Sequence, residues 1–128
     1  MQENHLFEYA VIRFVPMVER EEFLNIGVIL LCAKEKFLQL RFELDEDRLK
    51  VICPQVDLKE LKEQLQSFER ICKGGPEGGS IGKLSIPERF RWLTATRSTV
   101  VQTSKVHPGL CTDASEMLDR LYRQLVLR

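Results

Sequence analysis

A cluster of basic and hydroxyl-bearing residues lies between positions 88 and 107. Its polar members are Arg89, Arg91, Arg97, Ser98, Gln102, Ser104, Lys105 and His107. Arginine offers paired donors to an anion and serine adds hydroxyl groups, so this cluster could bind phosphate or carboxylate. His107 could act as a general acid or base, the role that histidine most often has in enzymes. The same pattern is also typical of a solvated helix face followed by an edge strand that Lys105 protects.

Arg13 is the second candidate for chemistry. It alternates with apolar residues, and shares a predicted strand face with Phe7, Tyr9, Val11 and Val15. An unpaired guanidinium on an apolar face is costly. The sequence favours a salt bridge with Glu21 or Glu22, because these acids follow so closely, or an arginine that extends to the rim of the sheet. The alternative is an anion-binding arginine at the end of the strand.

Other chemical signatures do not match the sequence. The glycine-rich segment differs from a P-loop because Glu77 and Leu84 stand where glycine and a hydroxyl residue are needed. The acidic turn at Asp45 lacks the spacing of an EF-hand. No cysteine pair has CxxC spacing, and the histidines are not at metal-ligand spacing, so we expect no metal and no cofactor. The residues concerned are Cys32, Cys53, Cys72, Cys111, His5 and His107.

The composition indicates a folded domain. The chain has 128 residues, is 44% hydrophobic, and balances 19 Lys and Arg residues with 19 Asp and Glu residues. This balance excludes a disordered chain and argues against a protein that is basic over its whole surface. We expect one domain over residues 1–128. The first residues lack the basic and apolar regions of a secretory leader, so we expect reduced thiols and a cytoplasmic location.

Hydrophobic alternation predicts the strands. Residues 6–15, 25–32 and 37–44 read as three strands joined by short links, which favours an antiparallel meander. The segment 25–32 is apolar on both faces, as is typical of a central strand. A weaker alternation over 98–104 predicts a fourth strand, and the residues from Val106 to Gly109 predict a turn.

Capping signals predict the helices. Asp45, Asp57, Ser85 and Asp113 each precede a stretch with helical spacing of apolar residues. Because the first three strands precede the helices, the sequence predicts an α+β fold, with a mostly antiparallel four-stranded sheet and helices packed on one face. Residues 73–84 are predicted to form a flexible glycine-rich loop.

Residues 9–16 and 21–30 form one distinctive block of the sequence, and residues 90–102 with 107–110 form a second. These two blocks resemble the bacterial DUF3037 family, a domain of unknown function. The resemblance spans nearly the whole chain, so we expect the complete protein. It implies an accessory role beside HipA-like kinases, whose genes neighbour those of the family. The residues that match the blocks are Arg13, Glu22, Asn25, Gly27, Arg97, Ser98, Gln102, His107 and Gly109.

Two hypotheses about function follow. The first is a non-catalytic protein-interaction module that binds a kinase-like partner or a second copy of itself, using the Arg97 patch and the glycine loop. The second is a small enzyme or binder for a phosphate-bearing or nucleic-acid substrate, with Arg13 and Arg97 holding the anion and His107 paired with Glu22. A groove for single-stranded nucleic acid is a weaker third interpretation, because Trp92 is the one obvious stacking platform. The expected binding residues are Arg13, Asn25, Arg97, Ser98, Gln102 and His107.

Overall fold

An apolar strand lies at the centre of the sheet. The computed structural model describes residues 3–97 and 99–127, and in it β1 (His5–Phe14) pairs antiparallel with β2 (Leu24–Cys32). On its other side β2 pairs antiparallel with β3 (Phe37–Phe42). The residues from Ile26 to Cys32 are all buried. The prediction of a central strand from the apolar run 25–32 is therefore confirmed.

Two short strands share the second side of β1. The strand β4 (Val101–Thr103) pairs with the last residues of β1, and β5 (His107–Cys111) pairs with its first residues, both antiparallel. The predicted turn over 106–109 is thus a fifth strand. Pro108 is tolerated because β5 is at the sheet edge, where a missing N–H is least costly. Gly109 lies against the ring of Phe7, which leaves no space for a side chain.

Three helices cover one face of the sheet. They are α1 (Glu46–Ile52), α2 (Leu58–Lys73) and α3 (Ile86–Leu93), and each begins at the cap that the sequence predicted. Asp45 and Asp57 accept backbone N–H groups, and Ser85 forms a reciprocal capping box with Glu88. The core between these helices and the sheet comprises Ala10, Ile12, Phe14, Ile26, Ile29, Leu31, Leu38, Leu49, Leu61, Leu65, Phe68, Ile71, Cys72, Phe90, Leu93 and Val101.

The last helix covers the opposite face. The helix α4 (Ala114–Tyr122), capped by Asp113, continues into a π-helical turn (Arg123–Leu127). It packs on Phe7, Val28, Leu30 and Cys32. The mostly antiparallel α+β fold is confirmed, but the helices lie on both faces where the sequence predicted one. The reason is β2, because a strand that is apolar on both faces needs cover on both.

Arg89 is buried rather than part of a basic surface. Only 8% of the residue is exposed, and its guanidinium donates to the carbonyl oxygens of Ile71 (2.8 Å), Cys72 (2.9 Å) and Leu84 (3.0 Å). A cation at the end of α2 also interacts favourably with the helix dipole. Arg89 therefore joins α3 to the end of α2 and to the glycine-rich segment.

The glycine-rich segment contains two short 3₁₀ turns. They run over Pro76–Gly78 and Ile81–Lys83, and the Gly75 N–H donates to the Gly82 carbonyl oxygen at 3.0 Å. Gly74 and Gly75 have positive φ angles, a conformation that favours glycine. Among the helices described, none has the length and the apolar composition that crossing a bilayer requires.

We predict that Arg89→Lys lowers the free energy of unfolding by about 2–4 kcal/mol, since an ammonium group cannot reproduce the guanidinium fork and leaves buried carbonyls unsatisfied. Urea denaturation should show a lower midpoint with an unchanged slope. The matched control is Arg91→Lys on the same helix, whose exposed side chain should change stability by about 0.5 kcal/mol or less. Equal effects of the two substitutions would contradict this role.

Candidate functional site

Three of the predicted binding residues lie side by side across the sheet. Arg13 on β1 is paired in register with Asn25 on β2 and with Gln102 on β4. A register shift after Ile12 places Arg13 opposite Asn25 instead of Ile26. Irregularities of this kind redirect side chains in many sheets. The three residues form a polar row on the face that α4 covers.

Arg13 is held by an aromatic ring and not by an acid. Its guanidinium carbon lies 4.0 Å from the centroid of the Phe23 ring, within the range of a cation–π contact. Glu22 forms an ion pair with Arg20 at 2.5 Å, and neither Glu21 nor Glu22 forms one with Arg13 in the structure. The predicted salt bridge is therefore wrong. Glu21 and Glu22 are exposed to solvent, while the ring of Phe23 packs against Arg13 on β1.

The polar row contains two buried atoms without a hydrogen-bond partner among residues 3–97 and 99–127. They are Nε of Arg13 and Oδ1 of Asn25, whose backbones are directly opposite each other. The amide nitrogen of Asn25 donates to the Leu125 carbonyl oxygen at 3.2 Å. Buried polar atoms without partners are rare in folded proteins. Packing within the chain therefore does not by itself explain why arginine and asparagine occupy positions 13 and 25.

Arg97 is fixed at the end of α3. Two of its guanidinium nitrogens donate to the carbonyl oxygens of Trp92 (2.5 Å) and Leu93 (2.6 Å). The guanidinium carbon lies 4.5 Å from the centroid of the Trp92 ring and 5.4 Å from that of Phe68. Partial burial lowers the pKa of Arg97. The group is thus a pre-positioned cation beside an exposed indole.

A small polar cavity joins Arg97 to the polar row. Its volume is about 160 Å³, and it is lined by Thr94, Thr96, Arg97, Gln102, Thr103, Ser104, Lys105 and Val106. Gln102 belongs to both groups, since it is paired with Arg13 and lines the cavity with Arg97. Two arginine–aromatic pairs therefore lie on the two sides of β4, with Gln102 between them. We name this region the β4-edge surface, and its residues are Phe23, Arg13, Gln102, Arg97 and Trp92.

Ser104 serves the backbone. Its hydroxyl oxygen accepts the Val11 N–H at 2.8 Å, and its own N–H donates to the Val11 carbonyl oxygen at 2.8 Å. The hydroxyl group also donates to the Lys105 carbonyl oxygen at 2.9 Å. Ser104 therefore closes the gap between β4 and β5 along β1, and its hydroxyl group is already occupied.

His107 lies apart from Arg13 along the sheet, and Glu22 is paired with Arg20. The His107 ring is 5.3 Å from the ring of Tyr9, its partner on β1. Tyr9 and Arg13 are four residues apart, which is about 13 Å along a strand. Arg97 stacks over Phe68, a member of the core on the opposite face. Ser98, another predicted binding residue, lies outside the described residues.

One contributor was not singled out from the sequence. Phe23 follows two acidic residues, yet its ring is stacked on Arg13 and the residue remains 46% exposed. A large aromatic residue directly after Glu21 and Glu22 was the available signal, because such loops are usually polar throughout. Trp92, which the sequence marked as a stacking platform, is 41% exposed and is paired with Arg97.

Comparison with known proteins gives one match. The model of a family described as "Protein of unknown function (DUF3037)" matches residues 9–126, which is nearly the whole chain. The matched region includes the entire β4-edge surface. No curated protein and no solved structure matches the chain.

We predict that Ser104→Ala lowers the free energy of unfolding by about 1–3 kcal/mol, because the buried Val11 N–H loses its acceptor. Guanidinium or urea denaturation measures the loss. The exposed Ser115→Ala is the matched control and should stay within about 0.5 kcal/mol of the parent. A Ser104→Ala protein as stable as the parent would show that the hydroxyl group is dispensable for the β1–β4 pairing.

Proposed function

Since this chain belongs to the DUF3037 family of proteins of unknown function, we propose from its surface that it acts as a non-catalytic protein-interaction module. The observation that carries this proposal is a pair of exposed aromatic rings, each covered by an arginine, on the two sides of β4. Phe23 is stacked with Arg13, and Trp92 is stacked with Arg97. Tryptophan and arginine are the residue types most often found to dominate binding energy at protein interfaces.

The arginines of this surface are already ordered. Arg97 is held by two carbonyl oxygens and two rings, so binding would cost little side-chain entropy. A guanidinium has five N–H groups, and Arg97 uses two of them within the chain, which leaves donors for a partner. Pre-organisation of this kind supports a binding role for the pair formed by Arg97 and Trp92.

The strand at the centre of the surface also supports binding. β4 is three residues long, and its outer side is not paired with another strand in the described parts of the chain. Exposed sheet edges can accept an added strand from a partner. The positive charges of this surface are Arg13, Arg97 and Lys105, and the nearby Glu22 is paired with Arg20, so we propose a partner with an acidic surface.

The geometry favours binding over catalysis. Proton transfer needs an acid and a base within hydrogen-bond reach of the reacting group. The enzymatic hypothesis requires Arg13, Glu22, Arg97 and His107 in one cleft, but Glu22 is paired with Arg20 and His107 lies beside Tyr9. An interaction surface needs no such convergence.

We propose a HipA-like kinase as the partner and the bacterial cytoplasm as the location. The kinase comes from the family resemblance, and the location comes from the reduced thiols expected for four free cysteines. A second copy of the chain is the other candidate partner. Both would use the β4-edge surface.

We predict that Trp92→Ala and Phe23→Ala each weaken binding to the proposed HipA-like kinase partner by at least about tenfold, which is typical of truncated interface anchors. Isothermal titration calorimetry with the two purified proteins measures the affinity. The control is Leu110→Ala, which removes an exposed apolar side chain from the other end of the sheet and should leave the affinity unchanged.

Light scattering of the chain alone separates the two partners. Self-association that Trp92→Ala abolishes would identify a second copy as the occupant of the surface. The proposal is overturned if the parent chain binds neither the kinase nor itself. It is also overturned if folded Trp92→Ala and Phe23→Ala proteins bind as tightly as the parent.

A further inference from the structure

Three side chains that can ligate a metal meet at the other end of β1, and a cysteine lies beside them. The three come from the start of β1, the end of β2 and the turn between β2 and β3, and the cysteine comes from the end of β5. The residues are His5, Cys32 and Glu35, with Cys111 beside them. His5 lies eight residues along β1 from Arg13, so this cluster is separate from the β4-edge surface.

Two of these ligand atoms lie close to the Glu35 carboxylate. Oε2 of Glu35 lies 2.9 Å from Nδ1 of His5 and 3.7 Å from Sγ of Cys32. These three ligand atoms all lie within 4.8 Å of one another. In a tetrahedral zinc site, bond lengths of about 2.0–2.3 Å separate neighbouring ligand atoms by about 3.3–3.8 Å. The side chains therefore need only small shifts to reach a common ion.

Cys111 supplies a fourth ligand. It is directly opposite His5 in the antiparallel pairing of β1 with β5, and it is packed in the same buried cluster as Cys32. Side chains directly opposite each other on two antiparallel strands have Cβ atoms about 4.5–5.5 Å apart, so Cys111 lies next to His5.

We propose that His5, Cys32, Glu35 and Cys111 form a site for one zinc ion. Imidazole, thiolate and carboxylate are the three ligand types that zinc takes in proteins, and four protein ligands with none left open are typical of a structural site. Zinc replaces the two thiol protons, which are released to solvent. The bound ion with two thiolates, one carboxylate and a neutral imidazole carries one net negative charge.

The surroundings suit that charge. The Ala114 N–H at the start of α4 donates to Oε2 of Glu35 at 3.0 Å, so the positive end of the α4 dipole faces the site. The side chains of His5 and Glu35 are 18% and 26% exposed, whereas both cysteines are buried. The ion thus has an entry route from the imidazole and carboxylate side. Once bound, it links four segments that are distant in the sequence.

The test uses the full chain, reduced and freed of metal with a chelator. Zinc titrated in competition with a chromophoric chelator should bind one ion per chain and raise the midpoint of thermal unfolding. His5→Gln and Glu35→Gln should each weaken zinc binding at least tenfold, because each removes one ligand from a partly exposed position. His107→Gln and Cys53→Ser are the matched controls, and both should bind zinc as the parent does.

Cobalt provides a second measurement that depends on the sulfur ligands. Co²⁺ bound by the parent should show sulfur-to-metal charge-transfer absorption, and Cys111→Ser should reduce its intensity by about half. If Cys111→Ser does not fold, the His5 and Glu35 variants decide the question. The proposal is overturned if the parent binds no zinc, or if His5→Gln and Glu35→Gln bind it unchanged.

Discussion

The burial of β2 on both faces is the constraint on which the rest of the structure depends. Val28 and Leu30 contact α4, while Ile29 and Leu31 contact the other three helices. Full burial of one aliphatic side chain contributes about 1.5–3 kcal/mol, so neither face can be left uncovered without a large loss of stability. The chain therefore forms three layers, and the second face is closed by its last helix.

This three-layer arrangement decides where polar chemistry can occur. Both broad faces of the sheet are used for packing, so polar groups gather at the two ends and along the edges of the strands. The β4-edge surface lies at the end of β1, and the His5 cluster lies at its beginning. Two exposed regions, far apart on one strand, can then serve different purposes without competing for the same residues.

Local signals in the sequence predict the local structure well, while contacts between distant segments escape them. The caps at Asp45, Asp57, Ser85 and Asp113 depend on neighbours three residues away, so the helix starts were predictable. The strand β5 was not predictable, because Pro108 and Gly109 are typical of a turn. Only the structure shows that Gly109 lies opposite Phe7 on β1. The contact of Phe23 with Arg13 depends on how the loop after β1 folds back, and the proximity of His5 to Cys32 depends on the strand register. Neither can be predicted from the spacing of residues in the sequence.

Because β1 pairs with β2 on one side and with β4 and β5 on the other, its two sides belong to different stages of folding. β2 and β3 follow within a few tens of residues, whereas β4 and β5 arrive about ninety residues later. Contacts between such distant segments form slowly, because closing a long loop costs conformational entropy before the contacts are gained. During synthesis on the ribosome, the backbone N–H and C=O groups on that side of β1 therefore stay unpaired until β4 and β5 have been made. In that interval the unpaired edge of β1 is most prone to aggregation, and a chaperone bound to it would be most useful.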